Sequence, residues 1–128
     1  MANECIPLYR PGADLTCLAG AAVTGKRMVM VSADTLNATT GALATVTHAT
    51  AATRALGVAV ADAASGDRVR VISSPGEIVP VAAAGTIAAN ADVEVGTAGK
   101  VVTIASGVAV GKAMQAGSNN NDILIKLY

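Results

Sequence analysis

The only histidine, His48, and the two cysteines, Cys5 and Cys17, are the side chains best suited to nucleophilic, acid–base or metal chemistry. A serine or cysteine nucleophile needs a base within hydrogen-bond reach. His48 lies in a run of Thr and Ala with no motif that pairs it with Ser or Cys, and it reads as a surface or interface residue. A structural zinc site takes four ligands, and Cys5, Cys17 and one histidine do not supply them. The acids are Glu4, Asp14, Asp34, Asp62, Asp67, Glu77, Asp92, Glu94 and Asp122. Most fall at turn signals or alternate outward on candidate strands, and no two form a general acid–base pair by spacing. The sequence therefore predicts a protein that is not an enzyme, with no catalytic residue, cofactor or metal ion.

Three further patterns lead no further. Lys112 stands in Lys112-Ala113-Met114 near a β-turn. Biotinyl and lipoyl carrier domains present a modified lysine at a hairpin tip. Here the expected tip is residues 118–121, and the usual Met–Lys order is reversed. Gly96 and Gly99 do not lie between a strand and a helix, so they form no phosphate-cradling loop. The basic residues are scattered without interleaved aromatics, which argues against nucleic acid as a partner.

The elements that would position these residues are strands. Residues 27–32 alternate Val29 and Val31 with Met28 and Met30. Residues 33–53 are rich in Thr and Ala and weakly patterned. A short strand is expected there at 43–47, with a helical turn near 50–55. Alternation then returns at 56–62, 67–72, 77–81, 92–96, 100–105, 107–113 and 122–128. Pro80 has no amide to donate, so its strand is expected at a sheet edge or a bulge. Gly, Ser, Pro and Asn clusters separate the runs, and no segment carries a capped helical period. The fold class is all-β: a small antiparallel sandwich or barrel of short strands. An internal echo is visible as well. Gly57-Val58-Ala59-Val60, followed by Ala63, Gly66 and Asp67, recurs as Gly107-Val108-Ala109-Val110, followed by Ala113, Gly117 and Asp122.

Composition bounds the remainder. The chain has 128 residues, enough for one core. Nine basic residues balance nine acidic ones, and only 14% of residues are charged. Neutrality excludes simple electrostatic capture of nucleic acid or of an acidic membrane surface, and it favours association. Phe and Trp are absent; the apolar 52% is mainly Ala and Val. So thin a core predicts that partner chains contribute to stability. No apolar run reaches the roughly 18 residues of a membrane span, and no secretion signal is evident. Cys5 and Cys17 are accordingly expected to be reduced thiols.

The first segment reads differently. Pro7 and Pro11 hold residues 1–14 extended, and Ile6, Leu8 and Tyr9 make this arm apolar for a solvated tail. The expected organisation is an extended arm, residues 1–14, and a single β domain, residues 15–128. Such an arm either packs on its own domain or reaches onto a neighbouring subunit, where it can add a strand to an exposed sheet edge. Ile6, Leu8, Tyr9 and Arg10 are the candidate contacts.

Several stretches carry a resemblance. The opening Met1-Ala2-Asn3-Glu4-Cys5-Ile6-Pro7-Leu8-Tyr9-Arg10-Pro11-Gly12 is similar to the start of capsid decoration (cement) proteins of tailed bacteriophages, the actinobacteriophage type in particular. Ala22-Val23-Thr24-Gly25-Lys26, His48-Ala49-Thr50-Ala51, Arg54 to Ala59, Asp62 to Gly66, Gly85 to Ala89, Val93 to Thr97 and Gly107 to Gly111 continue it in order. Residues 33–46 depart most. The resemblance implies a structural protein on the outer surface of the virion's icosahedral head, made in the host cytoplasm. It implies trimers at threefold and quasi-threefold positions that clamp the major capsid protein and stabilise the expanded shell. It brings no catalytic residues. Another β virion component, such as a tail tube, or a small non-enzymatic binding or carrier module are the alternatives.

Overall fold

The structure is a computed structural model, and it describes residues 14–128. The arm contacts Ile6, Leu8, Tyr9 and Arg10, and Cys5, lie outside the described residues.

Ten strands follow one another: β1 (Asp14–Ala19), β2 (Met28–Ala33), β3 (Thr45–His48), β4 (Gly57–Ala59), β5 (Arg68–Ile72), β6 (Ile78–Ala82), β7 (Asp92–Val95), β8 (Val101–Thr103), β9 (Gly111–Ala113) and β10 (Asp122–Leu127). The first five close into a barrel in the order β1-β3-β2-β4-β5, and the second five form a sheet in the order β6-β10-β9-β7-β8. The expected all-β barrel is present. Its pairs are antiparallel apart from β1 with β3, and a single parallel bridge joins Ala83 to Val101.

The two sets of strands are one unit built twice. Cys17 pairs with Val69 as Val81 pairs with Ile123. Val29 pairs with Gly57 as Val93 pairs with Gly111. The bridge Val23–Ala63 corresponds to Ile87–Gly117. The turns agree too. The Gly66 amide donates to the Ala19 carbonyl, and its counterpart Asn120 donates to Ala83. Lys26 and its counterpart Asn90 both take positive φ. The same eight inward positions fill each unit. They are Cys17, Ala19, Val23, Val29, Val46, Ala59, Val69 and Val71 in the first, and Val81, Ala83, Ile87, Val93, Val101, Ala113, Ile123 and Ile125 in the second. Small β-branched and alanine side chains suffice because the interior of each five-stranded unit is narrow.

The echo expected from sequence is thus real, but its register is off by four residues. Gly57 corresponds to Gly111, not Gly107. Residues 107–110 are irregular because the Glu94 carboxylate holds the Gly107 amide and Gly107 lies against Ala52. The expected strand at 107–113 therefore shortens to β9.

Pro80 lies on β6, an edge of the second sheet, as expected. The ladder amides of β6 alternate. Leu127 donates to Glu77 and Ala83 donates to Asn121, so odd-numbered residues face β10 and Pro80 faces away, where no donor is needed. The helical turn expected near 50–55 is instead a tight turn with Ala52 at φ 64°. The Ala52 amide donates to the Val95 carbonyl at 2.8 Å, a contact with the second unit that overrides alanine's helix preference. Strand β1 is not among the strands expected from sequence, although Leu15, Cys17 and Ala19 recur at alternate positions and face the core. Asp14 opens it, paired with Ile72.

Candidate interaction surfaces

The side chains with chemical potential are dispersed. His48 is half-buried at the end of β3, where its Nε2 accepts the Thr24 amide at 2.9 Å. Burial, and then the nearby Arg27 charge, hold its pKa below the usual histidine value. Cys17 is a free thiol in the core of the first barrel, and burial pushes its pKa up. The carboxylates are engaged separately. Asp14 Oδ2 is 3.4 Å from Arg70 Nε, Asp122 Oδ2 is 2.8 Å from Lys26 Nζ, and Asp92 Oδ1 is 3.3 Å from Lys112 Nζ. The Tyr128 hydroxyl also donates to Asp92 and, with Lys112, holds its carboxyl below the ordinary range. Among the described residues, no three metal-ligating side chains come together. Lys112 lies within β9, and its ammonium also donates to the Asn90 carbonyl. It does not stand at a hairpin tip, so the arrangement of a carrier lysine is absent.

Surface, in contrast, is abundant and asymmetric. The outer wall of the first barrel presents Met28, Val58 and Ile72, with Met30 beside them. That wall closes one end of the second unit, covering Val79, Val95, Val110 and Leu127. A cleft of about 170 Å³ remains along the seam, lined by Val58, Val60, Ile72, Val79 and Pro80 with Lys26 at its edge. Register places Asp92, Glu94, Lys112 and Lys126 at the second unit's counterparts of Met28, Met30, Val58 and Ile72. One unit thus has an apolar wall and the other a polar one, and the two pack head to tail.

The matching end of the first barrel has no such cover among the described residues. Val31 is the counterpart of Val95 and is 54% exposed, whereas Val95 is buried. Leu15 and Leu56, counterparts of Val79 and Val110, are half-buried. Beside this end stands a hairpin that the second unit lacks. Fourteen residues lie between Val31 and Val46, but five lie between Val95 and Val101. The hairpin is held by Asn37, whose Oδ1 takes the amides of Thr39 and Thr40, and by Thr35, whose hydroxyl donates to the Leu43 carbonyl. It carries Leu36, which is exposed. A second apolar strip crosses the outer face of β6, β10 and β9, where Pro80 pairs with Leu124 and the Met114 amide donates to Leu124. Both Leu124 and Met114 are exposed.

Sequence reasoning missed both surfaces. The alternation around Val31 marks a buried strand face, and only the duplicated architecture reveals that this end is uncovered.

No family model matches the chain, and no curated protein sequence matches it. Among solved structures the chain is similar to the N base of head fiber gp8.5 in bacteriophage phi29. The TM-score is 0.74, the identity is 21%, and the match covers 90% of this chain and 92% of that one. At this identity the likeness is one of fold, and it takes in both five-stranded units.

Proposed function

We propose that this protein is a structural component of a bacteriophage head, a decoration protein that binds the outer surface of the icosahedral capsid. The observation that carries the reading is the match, over nine-tenths of each chain, to the base of a phage head fiber. The sequence resemblance to phage decoration proteins points the same way from an independent direction. The molecule's chemistry agrees with it: dispersed ionisable groups and two uncovered apolar surfaces suit a protein that works by contact.

In this reading the protein sits as a homotrimer at threefold and quasi-threefold positions and clamps neighbouring major capsid subunits. Ile6, Leu8, Tyr9 and Arg10 make the arm contacts, to the shell or to a neighbouring protomer. Joint engagement of several subunits lets modest affinity per contact hold the trimer in place. It acts without catalysis, cofactor or nucleic acid.

The test is stoichiometry. Purified particles are digested, and this chain is quantified against the major capsid protein by mass spectrometry. A fixed ratio that persists through a density gradient is the expected result. Absence from particles, with the chain left in the soluble fraction, would overturn the reading.

A further inference from the structure

The first barrel's uncovered end has a defined counterpart. In the second unit the same end is closed by whatever precedes it in the chain, namely the first unit's wall. In the first unit the preceding residues are 1–13, which carry Ile6, Leu8 and Tyr9. The chain enters the barrel at this very end, because Asp14 opens β1 opposite Ile72 while Val31 and Leu56 lie at the same rim.

Direction decides which copy is covered. Traced backwards, β1 leads out of the barrel through the open end. Pro7 and Pro11 favour an extended path. At ~3.3 Å per residue, the stretch from Asp14 back to Tyr9 or Ile6 can span roughly 15–25 Å, which is long enough to reach an adjacent barrel. Charge agrees. Asp34 stands on the added hairpin beside the open end, exposed and without an ion pair among the described residues. Arg10 supplies the opposite sign.

A second copy's barrel wall is the other cover the fold offers. The first unit's wall is already occupied. The second unit's wall carries Asp92 and Lys112 where Met28 and Val58 make the existing contact.

We infer that the open end of the first barrel, with its added hairpin, receives the N-terminal arm of a neighbouring copy. Leu8 lies against Val31 and Leu56, and Arg10 faces Asp34. The inference rests on the proposed homotrimer and names the acceptor for its arm.

The experiment pairs Leu8→Cys with Val31→Cys in a Cys5→Ser background, leaving buried Cys17 in place. Val31 tolerates the change, since it is exposed. Mild oxidation of the full-length protein, free and bound to particles, is followed on non-reducing gels. Cross-linked dimers and trimers that require both cysteines are the expected result. A link confined within one chain, or none, would overturn the inference. Particle stoichiometry is read on the same samples. Bound protein without the link removes the inference alone, whereas protein that never joins particles removes the reading beneath it. As a second measure, Val31→Glu should weaken self-association about tenfold, the scale set by burying one valine side chain. Unchanged association would again count against the inference.

Discussion

The Ala82 amide donates to the carbonyl of Lys26 at 2.8 Å, whereas its counterpart in the first unit, Leu18, donates to Ala44 at the same distance. One bond stays inside its unit and the other leaves it. In the first unit β1 and β3 pair directly and the barrel closes. In the second, the first unit's turn occupies the seam, and β6 meets β8 only through the Ala83–Val101 bridge. Two copies of one unit become a single body because the first wedges open the second.

The wedge depends on Gly99, the counterpart of Ala44. Gly99 has φ 75°, and a Cβ there would lie 2.4 Å from the Met28 carbonyl oxygen. Gly99→Ala should therefore destabilise the fold by about 2–4 kcal/mol, about 1 kcal/mol from backbone strain and about 1–3 kcal/mol from overpacking. Gly41→Ala is the control. Gly41 has φ 76° and nothing near its missing side chain, so it should lose only about 1 kcal/mol. Urea denaturation of both variants gives the comparison, and equal losses would show that the wedge is not tightly packed.

The apolar wall is the other half of that contact. Met28 is buried although it points out of its own barrel. Met28→Ala should lose about 2–5 kcal/mol, as for a fully buried methionine. A loss within about 0.5 kcal/mol, measured the same way, would place Met28 at an ordinary surface.

Much of this fold is legible in the sequence, for stated reasons. Val69 and Val71 alternate with Arg68 and Arg70, and the period of two fixes both strand and face. Pro80 marks an edge because it has no amide. What local pattern does not carry is the relation between units. Met28 and Val29 look like opposite faces of a half-exposed strand, yet both are buried, one on each side of the barrel wall. Ala52 looks helical until the Val95 carbonyl claims its amide. The echo between residues 57–67 and 107–122 is visible, but Gly-Val-Ala-Val aligns by composition with the wrong glycine. Hydrogen-bond register alone assigns Gly111 to Gly57. The arm contacts on Ile6, Leu8, Tyr9 and Arg10 rest on the sequence.

Stability should depend on pH through His48. Its neutral ring accepts the Thr24 amide, and the folded-state pKa lies below the ordinary value of 6.5. The unfolded chain therefore binds the proton first as pH falls. The contribution is complete above about pH 6.5 and declines below it, to be lost as pH drops through the folded pKa. Thermal melts from pH 7.5 to 5 should show a falling midpoint, and His48→Gln should flatten that slope. A slope unaltered by the substitution would assign the dependence to other groups.

The arm should be separable from the fold. Strand β1 begins at Asp14 and completes the first barrel, so removal of residues 2–11 leaves every described element intact. The truncated chain should keep its far-ultraviolet spectrum and cooperative melt, but bind purified undecorated capsids at least tenfold more weakly. Undiminished occupancy in co-sedimentation would remove the arm from the contact.

The polarity of the second wall should set where the stack of units ends. The wall of each unit is a candidate cover for the open end of the next, and Asp92 and Lys112 oppose that use because burying them carries a desolvation cost. Asp92→Met with Lys112→Val copies the residues at Met28 and Val58 onto the second unit. Removing residues 2–11 in the same chain keeps the open end clear of the arm. The copied wall should then seat on the open end of another molecule. That contact is heterologous, so it should join copies head to tail. Sedimentation velocity should show a mass that rises with concentration, and Val31→Glu at the open end should abolish the rise. An unchanged mass at every concentration would mean that the wall's residue types alone do not make the contact, and that the seam bond from Ala82 to Lys26 is needed to align it.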